Sequence, residues 1–158
     1  MTGIMGEATR IADQLHRAFH GEAWHGPALM ELLEGVTPEQ AARRALPKAH
    51  SIWAIVLHIG AWESVARRWL AGEIAALPHL DGAEDWPPVH DRSATAWKQA
   101  VDGLVANHDR LVQLISKLSD LQLNEKVAGR EYNVYFLLHG LVQHSLYHAG
   151  QIAVLKKK

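Results

Sequence analysis

Gln143-His144-Ser145-Leu146-Tyr147-His148-Ala149-Gly150-Gln151-Ile152 lies near the end of the 158-residue chain, and its reading governs the rest. Leu137, Leu141 and Leu155 recur around it at the spacing of one helix face, and His144, His148 and Gln151 fall on the same stripe. Asn133 can cap such a helix, which then runs over 134–156. Residues four apart project from the same side, roughly 40° from each other around the axis. Two imidazoles so placed can bind one divalent ion. They also stand on the face expected to turn inward, where unpaired polar groups cost free energy. A shared metal would satisfy both rings at once.

Working outward, three more segments carry helical periodicity. Over 2–20 the apolar positions are Ile4, Ala8, Ile11, Leu15 and Phe19. Ser51 reads as the cap of a second long helix reaching Ala71-Gly72, with the stripe Ser51, Ile55, His58, Trp62, Val65 and Trp69. A third runs from Asp91 or Ser93 to Leu118 along Trp97, Val101, Leu104, His108, Leu111, Val112 and Ile115. Between the first two, the chain breaks at Gly21 and Gly26-Pro27. Pro27 suits the first turn of a short helix through Leu33, which Gly35 ends. Thr37-Pro38-Glu39-Gln40 reads as a cap with proline at the first helical position. Residues 73–92, with Pro78, Pro87 and Pro88, read as a long loop. Residues 119–132 read as a connection with a short turn or an extended piece around Val127. No segment alternates like a strand, and no period marks a repeat array. Four long amphipathic helices predict an all-α four-helix bundle, with residues 1–158 as a single domain.

Composition narrows the function. The chain is 48% hydrophobic and 21% charged with a net charge of −1, so bulk electrostatics gives no reason to expect a nucleic-acid or acidic-membrane partner. The Lys156-Lys157-Lys158 tail reads as a solvated helix end. Cysteine is absent, which excludes disulfides, thiolate ligands and a cysteine nucleophile, and means that any thiol chemistry takes its thiol from a ligand. No apolar run approaches the roughly 20 residues of a membrane span. The N-terminus lacks the pattern of a secretory signal, so a cytoplasmic location is expected.

The 11 histidines sort by helix face. His16 and His20 lie off the stripe of the first helix, and His139 lies opposite His144. His79 and His90 belong to the proline-bearing segment, and His50 precedes a helix it could help to cap. His58, His108, His144 and His148 all fall on stripes that otherwise read as core. A lone core histidine is usually satisfied by a carbonyl or a water, which suffices for His108. For His144 and His148 a metal is the better account, and His58 on a neighbouring inward face can complete a three-histidine site. Ser145 follows His144, so the H-E-x-x-H motif of zinc proteases is absent.

Ala49-His50-Ser51-Ile52-Trp53-Ala54-Ile55-Val56-Leu57-His58-Ile59-Gly60-Ala61-Trp62-Glu63 resembles the second-helix segment of the DinB (damage-inducible B) superfamily. The 143–152 stretch resembles the last-helix signature of the same family, and Gly21-Glu22-Ala23-Trp24-His25-Gly26-Pro27 resembles one of its subgroups. The likeness spans nearly the whole chain in the expected order. It implies an up-down-down-up four-helix bundle that holds a divalent metal through one histidine of the second helix and two of the last, matching His58, His144 and His148. It also implies a choice of functions, because some relatives are transferases or isomerases that use mycothiol, bacillithiol or glutathione, while others have no assigned activity.

Three neutral imidazoles leave open positions on a metal, as catalytic sites do. Imidazole suits zinc and nickel, the first expectations, and also copper and iron, with manganese a further option. The site could stabilise the thiolate of a low-molecular-weight thiol, or activate water to hydrolyse an ester or amide. The substrate expected in either case is a small molecule. A non-catalytic metal-binding or homodimerising module is the competing class, and a fourth protein ligand would favour it. His25, in a glycine-bounded break, and His108 are the candidates for that ligand or for a place in the pocket. Trp24, Trp62, Tyr147 and Gln151 are candidate pocket residues, Gln151 as a hydrogen-bond partner of a ligand, water or substrate. Glu63 is displaced from the His58 stripe and can act as a base only if it turns inward.

Overall fold

Capping side chains fix where the long helices start. The structure, a computed structural model, describes residues 5–157. Its helices are α1 (Glu7–His20), α2 (Leu29–Leu33), α3 (Pro38–Ala42), α4 (Ile52–Leu70), α5 (Gly82–Asp85), α6 (Ala94–Ile115) and α7 (Val134–Lys156). Ser51 Oγ accepts from the Ala54 N–H, Ser93 Oγ from Ala96 and Asn133 Oδ1 from Phe136. Each satisfies one of the donors that a helix start leaves orphaned. The first helix has Gly6 at its cap, and its Ala8 N–H is met instead by Asp120 Oδ1 from beyond α6. Ile4 lies outside the described residues.

Four boundaries differ from the sequence reading: α1 starts at Glu7 rather than at residue 2, Pro27 precedes the Ala28 cap of α2 instead of lying in its first turn, and two more lie further along. The segment 73–92 is not all loop, because Asp81 precedes the short α5. The third long helix ends at Ile115, where Ser116 caps it, rather than at Leu118. The 119–132 connection holds both features expected of it: a single 3-10 turn at Gln122–Asn124 and a lone antiparallel bridge between Lys126 and Asn133. No strand occurs among the described residues.

Helix α1 packs on α6 and α7, and α4 packs on the same two helices. The apolar interior forms two clusters. One gathers Ile11 and Leu15 of α1, Val65 of α4, Leu111 and Ile115 of α6, and Leu138 and Leu141 of α7. The other gathers Phe19, Ile55, Ile59, Trp97, Leu104, Ile152 and Leu155. On α4, α6 and α7 the residues between these clusters are polar yet buried: His58 and Glu63, His108, and Ser145 and His148. The interior is therefore crossed by a polar waist. No helix of the described residues is long and apolar enough to cross a membrane.

Candidate metal centre

His58 enters the waist from α4, and α5 determines how it points. The Asp85 backbone carbonyl lies 2.8 Å from His58 Nδ1, and Asp85 Oδ1 lies 3.1 Å from the same atom. A carbonyl can only accept, so Nδ1 carries a proton and Nε2 is the nitrogen left for a ligand. The Trp62 indole N–H donates to Asp85 Oδ1 at 2.7 Å, one turn along α4, and ties the carboxylate in place. Trp86 follows immediately and lies flat on His58, with ring centres 3.9 Å apart and planes within 5°.

His148 is held the same way from its own helix. Its Nδ1 donates to Gln151 Oε1 at 2.6 Å, which again leaves Nε2 as the acceptor. His144 Nε2 faces His58 Nε2 at 2.9 Å. One ligand atom from each of the three residues can be chosen so that all lie within 4.8 Å of one another. Two nitrogens bound to one ion at about 2.0–2.1 Å stand about 2.9 Å apart at a right angle and about 3.4 Å at a tetrahedral one. The observed gap is of that size, and it is closed either by a proton on one nitrogen or by an ion. Burial, with the neighbouring imidazoles, pushes His144 down to about 3, and burial also lowers His148. Both rings are therefore neutral near pH 7 and offer lone pairs, as metal ligands must. The outer partners on His58 and His148 are those that orient ligating histidines. This donor set fits a divalent ion.

A cavity of about 570 Å³ opens directly onto the three rings. Trp62, Trp86, Tyr132, Phe136, Leu137 and Leu141 supply most of its wall. Phe136 and Tyr147 are 63% and 66% exposed, which places them at its mouth.

The structure thus brings Trp62, Tyr147 and Gln151 to the cluster. His108 lies elsewhere in the waist. Its Nδ1 sits 3.0 and 3.1 Å from the two Glu63 carboxylate oxygens, its ring stacks on Phe19, and its Nε2 meets no partner. Glu63 does turn inward, to 1% exposure, but toward His108 rather than the three-histidine cluster. Trp24 is fully exposed, and with His25 it borders a different groove beside Arg17 and Leu146. His50 does not cap α4; Ser51 does, and His50 stacks on Trp86 with ring centres 3.4 Å apart. His16, His79 and His90 are exposed, while His20 binds Asp109 at 2.7 Å.

Sequence reasoning missed Asp85, Trp86, Tyr132 and Phe136. A signal for the first two was present. Asp81-Gly82-Ala83-Glu84-Asp85 carries a cap residue and first-turn acids, and a tryptophan before two prolines is an unusual choice for a solvated loop. Tyr132 and Phe136 flank the Asn133 cap and gave no such pattern.

The family model of the DinB superfamily matches residues 23–152, and the chain belongs to that superfamily. Neither a curated protein nor a solved structure matches the chain.

Proposed function

We propose that this member of the DinB superfamily is a divalent-metal-dependent enzyme acting on a small molecule, with thiol-dependent S-transfer or isomerisation ahead of hydrolysis. One observation carries the reading: three imidazoles able to share an ion stand at the floor of an open, largely apolar cavity. His58, His144 and His148 would hold the ion, zinc or nickel before iron or manganese. When bound, it supplies Lewis acidity, which makes a thiol or a water nucleophilic near neutral pH.

The chain's own residues do the rest. Asp85 and Gln151 lock two ligand rings, so their lone pairs need not reorganise when a substrate arrives. Trp62, Trp86, Phe136, Leu137 and Leu141 take up an apolar part of the ligand and exclude water around it. The Tyr147 side chain stands at the mouth, where its hydroxyl can bind a polar end. No fourth histidine, cysteine or carboxylate joins the cluster among the described residues, which favours an open site over a closed structural one. The lack of cysteine assigns any reacting thiol to the ligand.

The same reading extends to an up-down-down-up order of the long helices, and the contacts support it. Ala8 meets Asp120 and His20 meets Asp109, so α1 and α6 run opposite ways. Trp53 meets Trp97 and Glu63 meets His108, so α4 runs with α6. His58 meets both His144 and His148, while Ile55 shares a groove with Leu155, so α7 runs against α4.

Cobalt substitution tests the chemistry. Titrating glutathione, or a bacillithiol or mycothiol analogue, into the cobalt protein should produce a sulfur-to-metal charge-transfer band that saturates. An unchanged spectrum with every thiol would overturn thiol transfer and leave hydrolysis.

A further inference from the structure

We propose that the groove on the far side of Trp86 from the three-histidine cluster is a binding site for carboxylate or phosphate groups, built by Arg43, Arg44, Arg92 and His50. The groove has a volume of about 640 Å³, and no carboxylate lines it. Its three arginines and one histidine come from three places in the chain. Arg43 caps the end of α3 and Arg44 follows it; His50 directly precedes the cap of α4; Arg92 directly precedes the cap of α6.

Among the described residues, four arginines elsewhere in the chain are engaged in ion pairs, whereas the three of the groove, like Arg110 and Arg130, are not. Arg10 pairs with Glu7, Arg17 with Asp13 and Glu22, and Arg67 and Arg68 with Glu73. Among the described residues, Arg43, Arg44 and Arg92 have no such ion pair, although the chain carries 17 acidic residues against 16 basic ones. The nearby carboxylate of Asp85 is engaged by Trp62 and His58. Guanidinium groups present planar forks that match carboxylate and phosphate oxygens, so three of them around one groove select that chemistry.

Trp86 connects this groove to the metal site. Two rings cannot both lie parallel within 4 Å of one centre on the same side, so His50 and His58 occupy opposite faces of the indole. Trp86 accordingly lines both cavities. A third depression, lined by Lys48, His50, Tyr147 and Gln151, shares Tyr147 with one and His50 with the other. Lys48 adds a positive charge there and is held at a backbone φ of 62°, a conformation that lysine seldom adopts. His50 is kept below its usual pKa by burial and then by Arg44, so near pH 7 it acts as a neutral hydrogen-bonding group. The site stands without the ion. Its use, to anchor the anionic end of a molecule whose reacting end reaches His144, rests on the enzymatic reading above.

Calorimetric titration of inorganic phosphate and, separately, malonate into the full chain at fixed ionic strength tests the proposal. At least one anion should bind saturably with one site per chain. R92A and the double variant R43A/R44A should each weaken it about tenfold or more, as loss of a charge-assisted hydrogen bond implies. These arginines are exposed, so the variants should keep the fold. Arg68→Ala, in an exposed ion pair away from the groove, should leave the affinity unchanged, and so should His144→Ala, which removes the metal site alone. The tighter of the two anions identifies the ligand as a carboxylate or a phosphate. Absence of saturation by both anions would overturn the proposal, as would equal losses in Arg68→Ala and R92A. Loss of binding in His144→Ala would place the anion on the metal instead and overturn it as well.

Discussion

Substituting Asp85 separates orientation from charge at the proposed metal site. The residue acts on His58 twice, through a backbone carbonyl at 2.8 Å that any residue would keep and a carboxylate oxygen at 3.1 Å that only Asp85 provides. Outer partners of metal-bound histidines are typically worth about 10- to 100-fold in metal affinity. Because the carbonyl that sets the tautomer survives, Asp85→Ala should fall at the lower end, about tenfold, or about 1.4 kcal/mol of binding free energy. The same change removes the acceptor of the half-buried Trp62 N–H and should reduce stability by about 1 kcal/mol. Asp85→Asn should restore that stability, because its amide oxygen can still accept from Trp62, yet recover only part of the affinity, because the negative charge beside His58 is gone. Competition against a chromophoric chelator gives the affinities, with zinc content by elemental analysis as the stoichiometry. His58→Ala and His144→Ala set the scale, since both should lose stoichiometric metal. Wild-type affinity in Asp85→Ala would refute the reasoning, and so would a loss as complete as that of His58→Ala.

Glu63→Ala removes the partner of the buried His108 Nδ1 and should destabilise the fold by about 2 kcal/mol, read by urea unfolding. A double replacement of Glu63 and His108 by leucine should lie closer to wild type, and a Glu63→Ala effect below about 0.5 kcal/mol would mean that the pair carries little. In the metal-free protein, His144 is held at about 3 against an ordinary 6.5, so the unfolded chain binds more protons across that window and stability must fall as pH drops through it. The melting temperature after chelator treatment should decline from pH 7 to 5, and less steeply in His144→Leu; equal slopes in the two proteins would contradict the assignment.

The local chemistry of the fold was legible because caps and stripes are local. Ser51, Thr37 and Asn133 each announce a helix start by residue type, and each accepts the expected backbone N–H. Ala8, Ile11, Leu15 and Phe19 were read as one stripe and are all buried. Glu63 shows where that reading fails. Five residues from His58, it lies well around the helix, and a single-stripe view leaves it displaced from the core. Helix α4 packs against both α6 and α7, so it has two inward faces, and Glu63 lies on the one that meets His108. The three-histidine cluster was readable because two of its members share one turn of one helix. The outer partner of His58 was not, since a backbone carbonyl 27 residues away has no residue-type signature. His25, with Trp24 beside it, is a candidate for the site because glycines bound the break that holds it. Glycine permits a bend without saying which way it goes, and here the indole points to solvent.

The polar waist sets the three-histidine cluster midway along the bundle rather than at an end. Fully burying a leucine-sized side chain contributes roughly 1.5–3 kcal/mol, and the waist forgoes that gain at each position held by His58, Glu63, His108, Ser145 or His148. Its two halves are satisfied differently. On the α6 side, the buried Glu63 and His108 answer each other, and the apolar Phe19 ring stacks on His108. On the α7 side, Asp85 and Gln151 hold the backs of His58 and His148, while their front nitrogens, with His144, face one another and a cavity. This second half directs three imidazole nitrogens at a common point beside open volume. A packed core selected for stability alone would fill that volume and replace those nitrogens. Their placement on two helices, with an outer partner supplied by α5, is what an ion-binding role requires and what helix packing does not explain.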